Sequence, residues 1–275
     1  MNGDGYADVG LGIVTNTSHA VLVYQGGPSG LSAPTTLSVP GYASQALYPI
    51  GTDINGDGYG DLVEEGCVPG SQFACQVYFF AGGPAGLPST PVVAQSVVGQ
   101  HTGVTFAGDV NGDGYADLVD AVPDPSTPDA SSSTAIRVFP GGPAGVGAPV
   151  VFARPSAVGV TYTGILFTTG DVDGDGFADV GVGIAGGSGQ TDVWVYGGSA
   201  TLGVQTYGKS EVYNPGTKAI LSAFSAAGDV NGDGYGDVLG GDFQVTDSAY
   251  LFLGGKNGLT LAPNNGTLQG GDSVL

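Results

Sequence analysis

Apolar residues in this chain come in short runs, broken at close intervals by turn residues. Nowhere do they keep helical spacing over a useful length. Runs such as Gly103-Val104-Thr105-Phe106-Ala107-Gly108, Asp117-Leu118-Val119 and Pro149-Val150-Val151-Phe152 are rich in β-branched and aromatic residues and bounded by Gly, Pro or Asp, which predicts strands. Five apolar runs end in a Gly-Gly turn, at Gly26-Gly27, Gly82-Gly83, Gly141-Gly142, Gly197-Gly198 and Gly254-Gly255. Aligned on those turns, Tyr24, Phe80, Phe139, Val195 and Phe252 form one column, and Val23, Phe79, Val138, Trp194 and Leu251 the next. Successive strand residues point to opposite faces, so two adjacent apolar columns predict a sheet buried on both sides. A sheet held between two neighbouring copies of itself satisfies that.

The copies are visible in a nine-residue segment upstream of each such run. Asp53-Ile54-Asn55-Gly56-Asp57-Gly58-Tyr59-Gly60-Asp61 recurs as Asp109-Val110-Asn111-Gly112-Asp113-Gly114-Tyr115-Ala116-Asp117, as Asp171-Val172-Asp173-Gly174-Asp175-Gly176-Phe177-Ala178-Asp179, and as Asp229-Val230-Asn231-Gly232-Asp233-Gly234-Tyr235-Gly236-Asp237. The chain opens inside a truncated copy, Met1-Asn2-Gly3-Asp4-Gly5-Tyr6-Ala7-Asp8. The copies stand roughly 55 residues apart, which divides the sequence into repeats at roughly 1–46, 47–102, 103–163, 164–221 and 222–275. Each repeat reads as four short strands: one before the Asp-rich segment, one after it, the apolar run, and one after the Gly-Gly turn. That is the size of a propeller blade, whereas solenoid rungs are usually shorter.

The expected fold is therefore all-β: one domain over 1–275, a β-propeller of about five four-stranded antiparallel blades. The preferred closure has the C-terminal segment Gly271-Asp272-Ser273-Val274-Leu275 supply the strand missing from the N-terminal blade, which would cover exposed edges. The other reading is a fragment of a longer propeller, or a piece that assembles with another copy and so forms an oligomer.

Composition narrows the partners. The 275 residues are 41% hydrophobic, enough for a core, and include 53 glycines without the three-residue period of collagen. Net charge is −20, and there are only five Lys and Arg residues: Arg137, Arg154, Lys209, Lys218 and Lys256. No basic patch can be built from these, which argues against nucleic acid and against an anionic membrane surface. No apolar stretch reaches membrane-spanning length, so membrane insertion is not expected. No segment of the chain resembles a signal peptide.

The Asp-rich segment has the make-up of a calcium loop. Calcium takes six to eight oxygens in flexible geometry. Alternate positions one, three, five, seven and nine can point at one centre, with position seven contributing its backbone carbonyl. The expected ligands are Asp53, Asn55, Asp57, Tyr59 and Asp61; Asp109, Asn111, Asp113, Tyr115 and Asp117; Asp171, Asp173, Asp175, Phe177 and Asp179; and Asp229, Asn231, Asp233, Tyr235 and Asp237. Gly56 and Gly58, at positions four and six, allow positive φ. The ring at position seven is free to pack against the next repeat. Such acids could instead form simple Asx-turns, but three or four close carboxylates in each of four copies repel without a cation. About four Ca²⁺ sites follow, and four ions would bring the net charge to about −12. Magnesium fits less well because it demands octahedral geometry and keeps its waters. The first copy, with Asn2, Asp4, Tyr6 and Asp8 but no opening Asp, is expected to be weak or empty. The fourth, with four acids, should be among the tightest. An EF-hand is excluded by strand-like flanks and by position twelve, which is Glu64, Asp120, Val182 and Gly240 in the complete copies.

These loops resemble the FG-GAP repeat family, which includes the N-terminal propeller of integrin α subunits and many bacterial extracellular repeat proteins. The motif D-x-[DN]-x-D-G-[YF]-x-D and its repetition span essentially the whole chain. The resemblance implies a propeller whose calcium loops join the first and second strands of each blade, on one face. Integrin propellers have seven blades, against about five motifs here.

The remaining chemistry is sparse. Cys67 and Cys75, the only cysteines, flank a short Pro-Gly loop between two strands of one repeat and are expected to form a disulfide, which fits an oxidising compartment. His19 and His101 suggest no catalytic set, and Trp194 aligns with core positions. The functional expectation is a non-enzymatic, extracellular, calcium-stabilised module that binds a protein partner in the manner of an adhesion domain. The alternatives are a lectin-like propeller with a glycan ligand and an accessory domain of a larger hydrolase or lyase.

Overall fold

The computed structural model describes residues 1–14, 19–39, 50–67, 74–98, 104–123, 134–152, 164–185, 191–202, 207–210, 223–242, 248–262 and 267–269. Every regular element among them is a strand, so the chain is all-β. Among the described residues no helix is long and apolar enough to cross a membrane. The strands form five sheets, one for each repeat.

The first sheet has the order β1 (Val9–Val14), β2 (His19–Tyr24), β3 (Thr35–Val39). The second runs β4 (Ile50–Thr52), β5 (Asp61–Cys67), β6 (Ala74–Phe80), β7 (Val92–Val98). The third joins β8 (Thr105–Gly108), β9 (Asp117–Pro123), β10 (Thr134–Phe139) and β11 (Val150–Phe152) in sequence order. So does the fourth, with β12 (Gly164–Gly170), β13 (Asp179–Ala185), β14 (Thr191–Tyr196) and β15 (Tyr207–Ser210).

The fifth contains β16 (Ala223–Gly228), β17 (Asp237–Asp242) and β18 (Ser248–Leu253), and its fourth strand is interrupted. β19 (Thr260–Leu261) pairs with Phe252 and Leu253, and β20 (Thr267–Gln269) pairs with Ser248, Ala249 and Tyr250. The segment expected to complete the first sheet, Gly271–Leu275, lies outside the described residues. The last strand before it, β20, belongs to its own repeat, and the first sheet has three strands among the described residues.

Strand register corrects the alignment of the fourth repeat by one residue. The residue after the closing Asp faces the first apolar column across the strand pair: Val9 faces Tyr24, Leu62 faces Phe80 and Val238 faces Phe252. In the fourth repeat Val180 faces Tyr196, so the column member is Tyr196 and not Val195. The next column takes Val195 and not Trp194. The turn equivalent to Gly-Gly is then Gly198-Ser199. Tyr196 and Val195 are both buried, as the columns require.

The described residues fall into two compact units. Met1–Phe106, Gly114–Val122 and Arg137–Val150 make one; Ala107–Asp113, Pro123–Ile136 and Val151–Leu275 make the other. In the first, Val21, Val23, Leu37 and Val39 of the first sheet pack on Leu62, Tyr78 and Phe80 of the second. The opposite face of the second sheet, with Val63, Val77 and Phe79, packs on Leu118 and Phe139 together with Ile54 from the Asp-rich loop. In the second unit Val172 and Val195 pack on Val238, Tyr250 and Phe252. Within each unit the successive sheets thus stack face to face, first on second and second on third in one, fourth on fifth in the other, as the paired apolar columns predict. Burying such side chains contributes roughly 1.5–3 kcal/mol each.

Candidate metal centre

The closing Asp of each loop anchors it to its own sheet. One oxygen, Oδ1, accepts the N–H of the first residue of the Gly-Gly-type turn: Gly26 to Asp8, Gly82 to Asp61, Gly141 to Asp117, Gly198 to Asp179 and Gly254 to Asp237, all at 2.7–2.9 Å. The other oxygen accepts the N–H at position two, from Ile54 to Asp61 at 2.9 Å, Val172 to Asp179 at 2.8 Å and Val230 to Asp237 at 2.7 Å. Asp61, Asp117, Asp179 and Asp237 are fully buried. A buried carboxylate needs such donors, and these come from the backbone.

The opening Asp organises the turn. Asp53 Oδ1 accepts from Gly56 and Asp57, at 2.7 and 3.1 Å, and Oδ2 accepts from Gly58 at 2.8 Å. Asp171 and Asp229 repeat the pattern. Gly56 and Gly58 adopt φ of +72° and +88°, as the glycine positions predict, and the equivalent glycines of the other loops do the same. The Asx-turns weighed against metal binding are thus present. They shape the loop, and the question becomes whether charge is left over.

Position three decides that question. In four loops an Asn amide donates to the position-five Asp: Asn2 to Asp4, Asn55 to Asp57, Asn111 to Asp113 and Asn231 to Asp233, at 2.8–3.1 Å. In the fourth loop Asp173 stands there and, ionised, has no proton to donate to Asp175. Asp171, Asp173 and Asp179 each bring a carboxylate oxygen within 4.8 Å of the others. Oxygens ~2.4 Å from a common calcium lie at most about 4.8 Å apart, so this set fits one ion.

The titration directions follow the same geometry. Burial pushes Asp179 up to about 7, against the N–H groups of Gly198 and Val172, with Asp173 and Asp175 adding repulsion. Asp173 is raised by burial and then by Asp175 and Asp171. Asp61 is raised by burial despite the N–H groups of Gly82, Ile54 and Asn55. Exposed Asp229 goes the other way, lowered chiefly by the N–H of Gly234.

The ring at position seven packs in the opposite direction from that expected. It lies over the position-four glycine of the preceding loop: Tyr59 over Gly3, Tyr115 over Gly56, Phe177 over Gly112 and Tyr235 over Gly174. Backbone bonds follow the same path. The second turn residue donates to the position-two carbonyl of the preceding loop, from Gly83 to Met1, Gly142 to Ile54, Ser199 to Val110 and Gly255 to Val172. Ala178 and Gly236 donate to the position-one carbonyls of Asp109 and Asp171. The loops are therefore also the joints between repeats.

In the first loop, the Met1 ammonium lies 3.9 Å from Asp8 Oδ2. Cys67 and Cys75 face each other directly across β5 and β6, a register that suits a disulfide, while their side chains lie outside the described residues. The side chains of His19 and Trp194, and all of His101, lie outside them too.

Sequence reasoning missed one buried pair. Arg137 grips Asp120 with Nε on Oδ1 at 2.8 Å and Nη2 on Oδ2, and its guanidinium sits 5.6 Å from the Phe139 ring centre. Asp120 and Glu64, at position twelve, are buried in the sheets. The available signal was an arginine inside the apolar run Ala135-Ile136-Arg137-Val138-Phe139, opposite an acid in an apolar strand. No protein-family model matches this chain, so the resemblance drawn from the loops rests on their residues alone.

Proposed function

We propose that the chain is a calcium-stabilised, propeller-type repeat module that works outside the cell by binding a protein partner and carries out no catalysis. The observation that carries the calcium reading is the fourth loop. It gathers Asp171, Asp173 and Asp179 around one point, with Asp179 fully buried and Asp173 lacking the amide donor its counterparts use. Uncompensated, such a group is costly; a divalent cation with flexible coordination offsets it. Loops that also join repeats convert calcium affinity into folding stability. Propeller architecture is supported by sheets of about four strands that pack face to face. Extracellular millimolar calcium suits loops of modest charge.

The test is thermal unfolding with calcium, with magnesium and with chelator. The melting temperature should rise with calcium over the micromolar-to-millimolar range, move less with magnesium, and fall with chelator. Indifference to all three would remove the calcium reading.

A further inference from the structure

Position three of the Asp-rich loop is an Asn followed by Gly in three complete copies: Asn55-Gly56, Asn111-Gly112 and Asn231-Gly232. That dipeptide is chemically weak, because no Cβ on the glycine blocks the approach of its nitrogen to the Asn side-chain amide. A bond forms from Gly56 N to Asn55 Cγ, the bond from Cγ to Nδ2 breaks, and the proton of the Gly56 N–H leaves on the departing ammonia. Water then opens the cyclic imide at one carbonyl or the other, leaving Asp or, with one more atom in the main chain, isoaspartate. The folded loop holds all three groups that take part. Gly56 N–H donates to Asp53 Oδ1 at 2.7 Å, Asn55 Oδ1 accepts from Asp57 N–H at 3.0 Å, and Asn55 Nδ2 donates to Asp57 Oδ2 at 3.1 Å. Asn231-Gly232 repeats the three bonds with Asp229 and Asp233 at 2.7, 3.0 and 2.8 Å. Asn111 makes both side-chain bonds to Asp113 at 2.9 Å. The same dipeptide occurs outside the loops as exposed Asn257-Gly258. There, among the described residues, only the nitrogen is held, by the Gly255 carbonyl at 2.7 Å. The glycine backbone does not separate the two settings, since Gly56 and Gly258 have φ of +72° and +86°.

We propose that Asn55, Asn111 and Asn231 are latent deamidation sites, locked by the bonds of the folded loop and released when the loop opens. One product is a residue the loop already accommodates. Asp173 holds this position in the fourth loop, where its Oδ1 accepts the Asp175 N–H at 3.2 Å and Asp171 accepts from Gly174, Asp175 and Gly176 as Asp53 does in its own loop. Conversion to Asp therefore turns an Asn loop into the four-acid kind. It adds one negative charge and removes the amide donor to position five. Conversion to isoaspartate inserts a main-chain atom into a segment that depends on strict alternation, and takes the loop out of register. Neither product reverts, so a converted loop carries a permanent record of having opened. The inference stands on these hydrogen bonds alone, whatever ion a loop holds.

The experiment holds the full chain at neutral pH and constant temperature, either folded as purified or unfolded in urea. Samples taken over time are mapped by peptide mass spectrometry, which reads amide-to-acid conversion at each Asn, with isoaspartate identified by fragmentation. In urea all four Asn-Gly pairs should convert at similar rates. In the folded chain Asn257 should keep converting, while Asn55, Asn111 and Asn231 slow by about tenfold or more, because each must wait for a local opening. Asp53→Ala frees the Gly56 N–H and should restore fast conversion at Asn55 while Asn111 and Asn231 stay slow. Loop sites that convert as fast in the folded chain as in urea, or as fast as Asn257, would overturn the proposal. So would an Asp53→Ala chain in which Asn55 stays slow, or in which all three loops speed up together.

Discussion

Tyr115 lays the edge of its ring over Gly56, so that a Cβ on Gly56 would stand 2.6 Å from Tyr115 Cε1. Gly56 is therefore required twice, once by its φ of +72° and once by the ring of the following repeat. Gly58 carries only the first requirement, since a Cβ there meets nothing within 4 Å. Gly58→Ala should cost about 1–2 kcal/mol from the left-handed backbone alone. Gly56→Ala should cost ~1–3 kcal/mol more, as forced overpacking does. Gly232→Ala, also open, should behave like Gly58→Ala. Urea unfolding of the three variants distinguishes ring contact from backbone strain.

The closing Asp has a second consequence, independent of metal. Asp61 accepts the N–H groups of Gly82 and Ile54 while fully buried. Asp61→Asn turns one acceptor into a donor facing another donor. The expected loss is about 2–4 kcal/mol, the range for losing a charge-assisted bond and leaving a buried N–H unpaired. The loss should be seen in chelator as well as in calcium, by chemical denaturation.

Asp173 predicts the reverse pattern. Asp173→Asn restores to the fourth loop the amide that Asn55, Asn111 and Asn231 give to theirs. In chelator the variant should be more stable than wild type, by roughly 0.5–1.5 kcal/mol, since one like-charge contact is replaced by a hydrogen bond. Its fourth site should bind calcium more weakly, by about tenfold for one lost ligand charge. Calorimetric titration and unfolding in chelator read the two effects separately.

Proton linkage follows from Asp179, raised by burial from 3.8 to about 7. The folded chain holds this proton more tightly than the unfolded chain. Below the unfolded value both states are protonated and no penalty exists. As pH climbs towards about 7 the folded state must bury a charge, so this group's contribution to metal-free stability falls across that window and is flat above it. Calcium replaces the proton. Adding calcium near pH 6 should release about one proton per chain from this site, and close to none at pH 8.5, as measured in weakly buffered solution.

The pair Asp120–Arg137 is buried and bidentate. Arg137→Met removes the guanidinium from a buried carboxylate, at an expected cost of ~3–5 kcal/mol. Combining it with Asp120→Leu should recover most of that loss, because a packed apolar pair often matches an ion pair inside a sheet. A double-mutant cycle in denaturant measures the coupling.

Much of this was legible from spacing. Asp, Asn and Gly at fixed positions report the loop directly, because its φ values and Asx-turns demand those residue types, and Gly56 and Gly58 adopt the expected conformations. Alternating apolar columns reported sheets buried on both faces. What stayed hidden depends on partners far apart in sequence. Tyr196-Gly197-Gly198-Ser199 permits two phases, and the second is selected by the pairing of Val180 with Tyr196 and by the bond from Gly198 N–H to Asp179. The direction in which Tyr115 leans is set by where the neighbouring loop lies, and nothing within its own loop encodes that. Arg137 reads as a stray charge until Asp120 is placed opposite it.

The joints between repeats rely on backbone donors and acceptors, a glycine and a flat ring, with few side chains particular to any one repeat. A connection of that kind is indifferent to most of the sequence around it. Gene duplication could therefore lengthen or shorten such an array by whole units without new contacts having to evolve, while the strands and outer turns drifted freely towards different ligands.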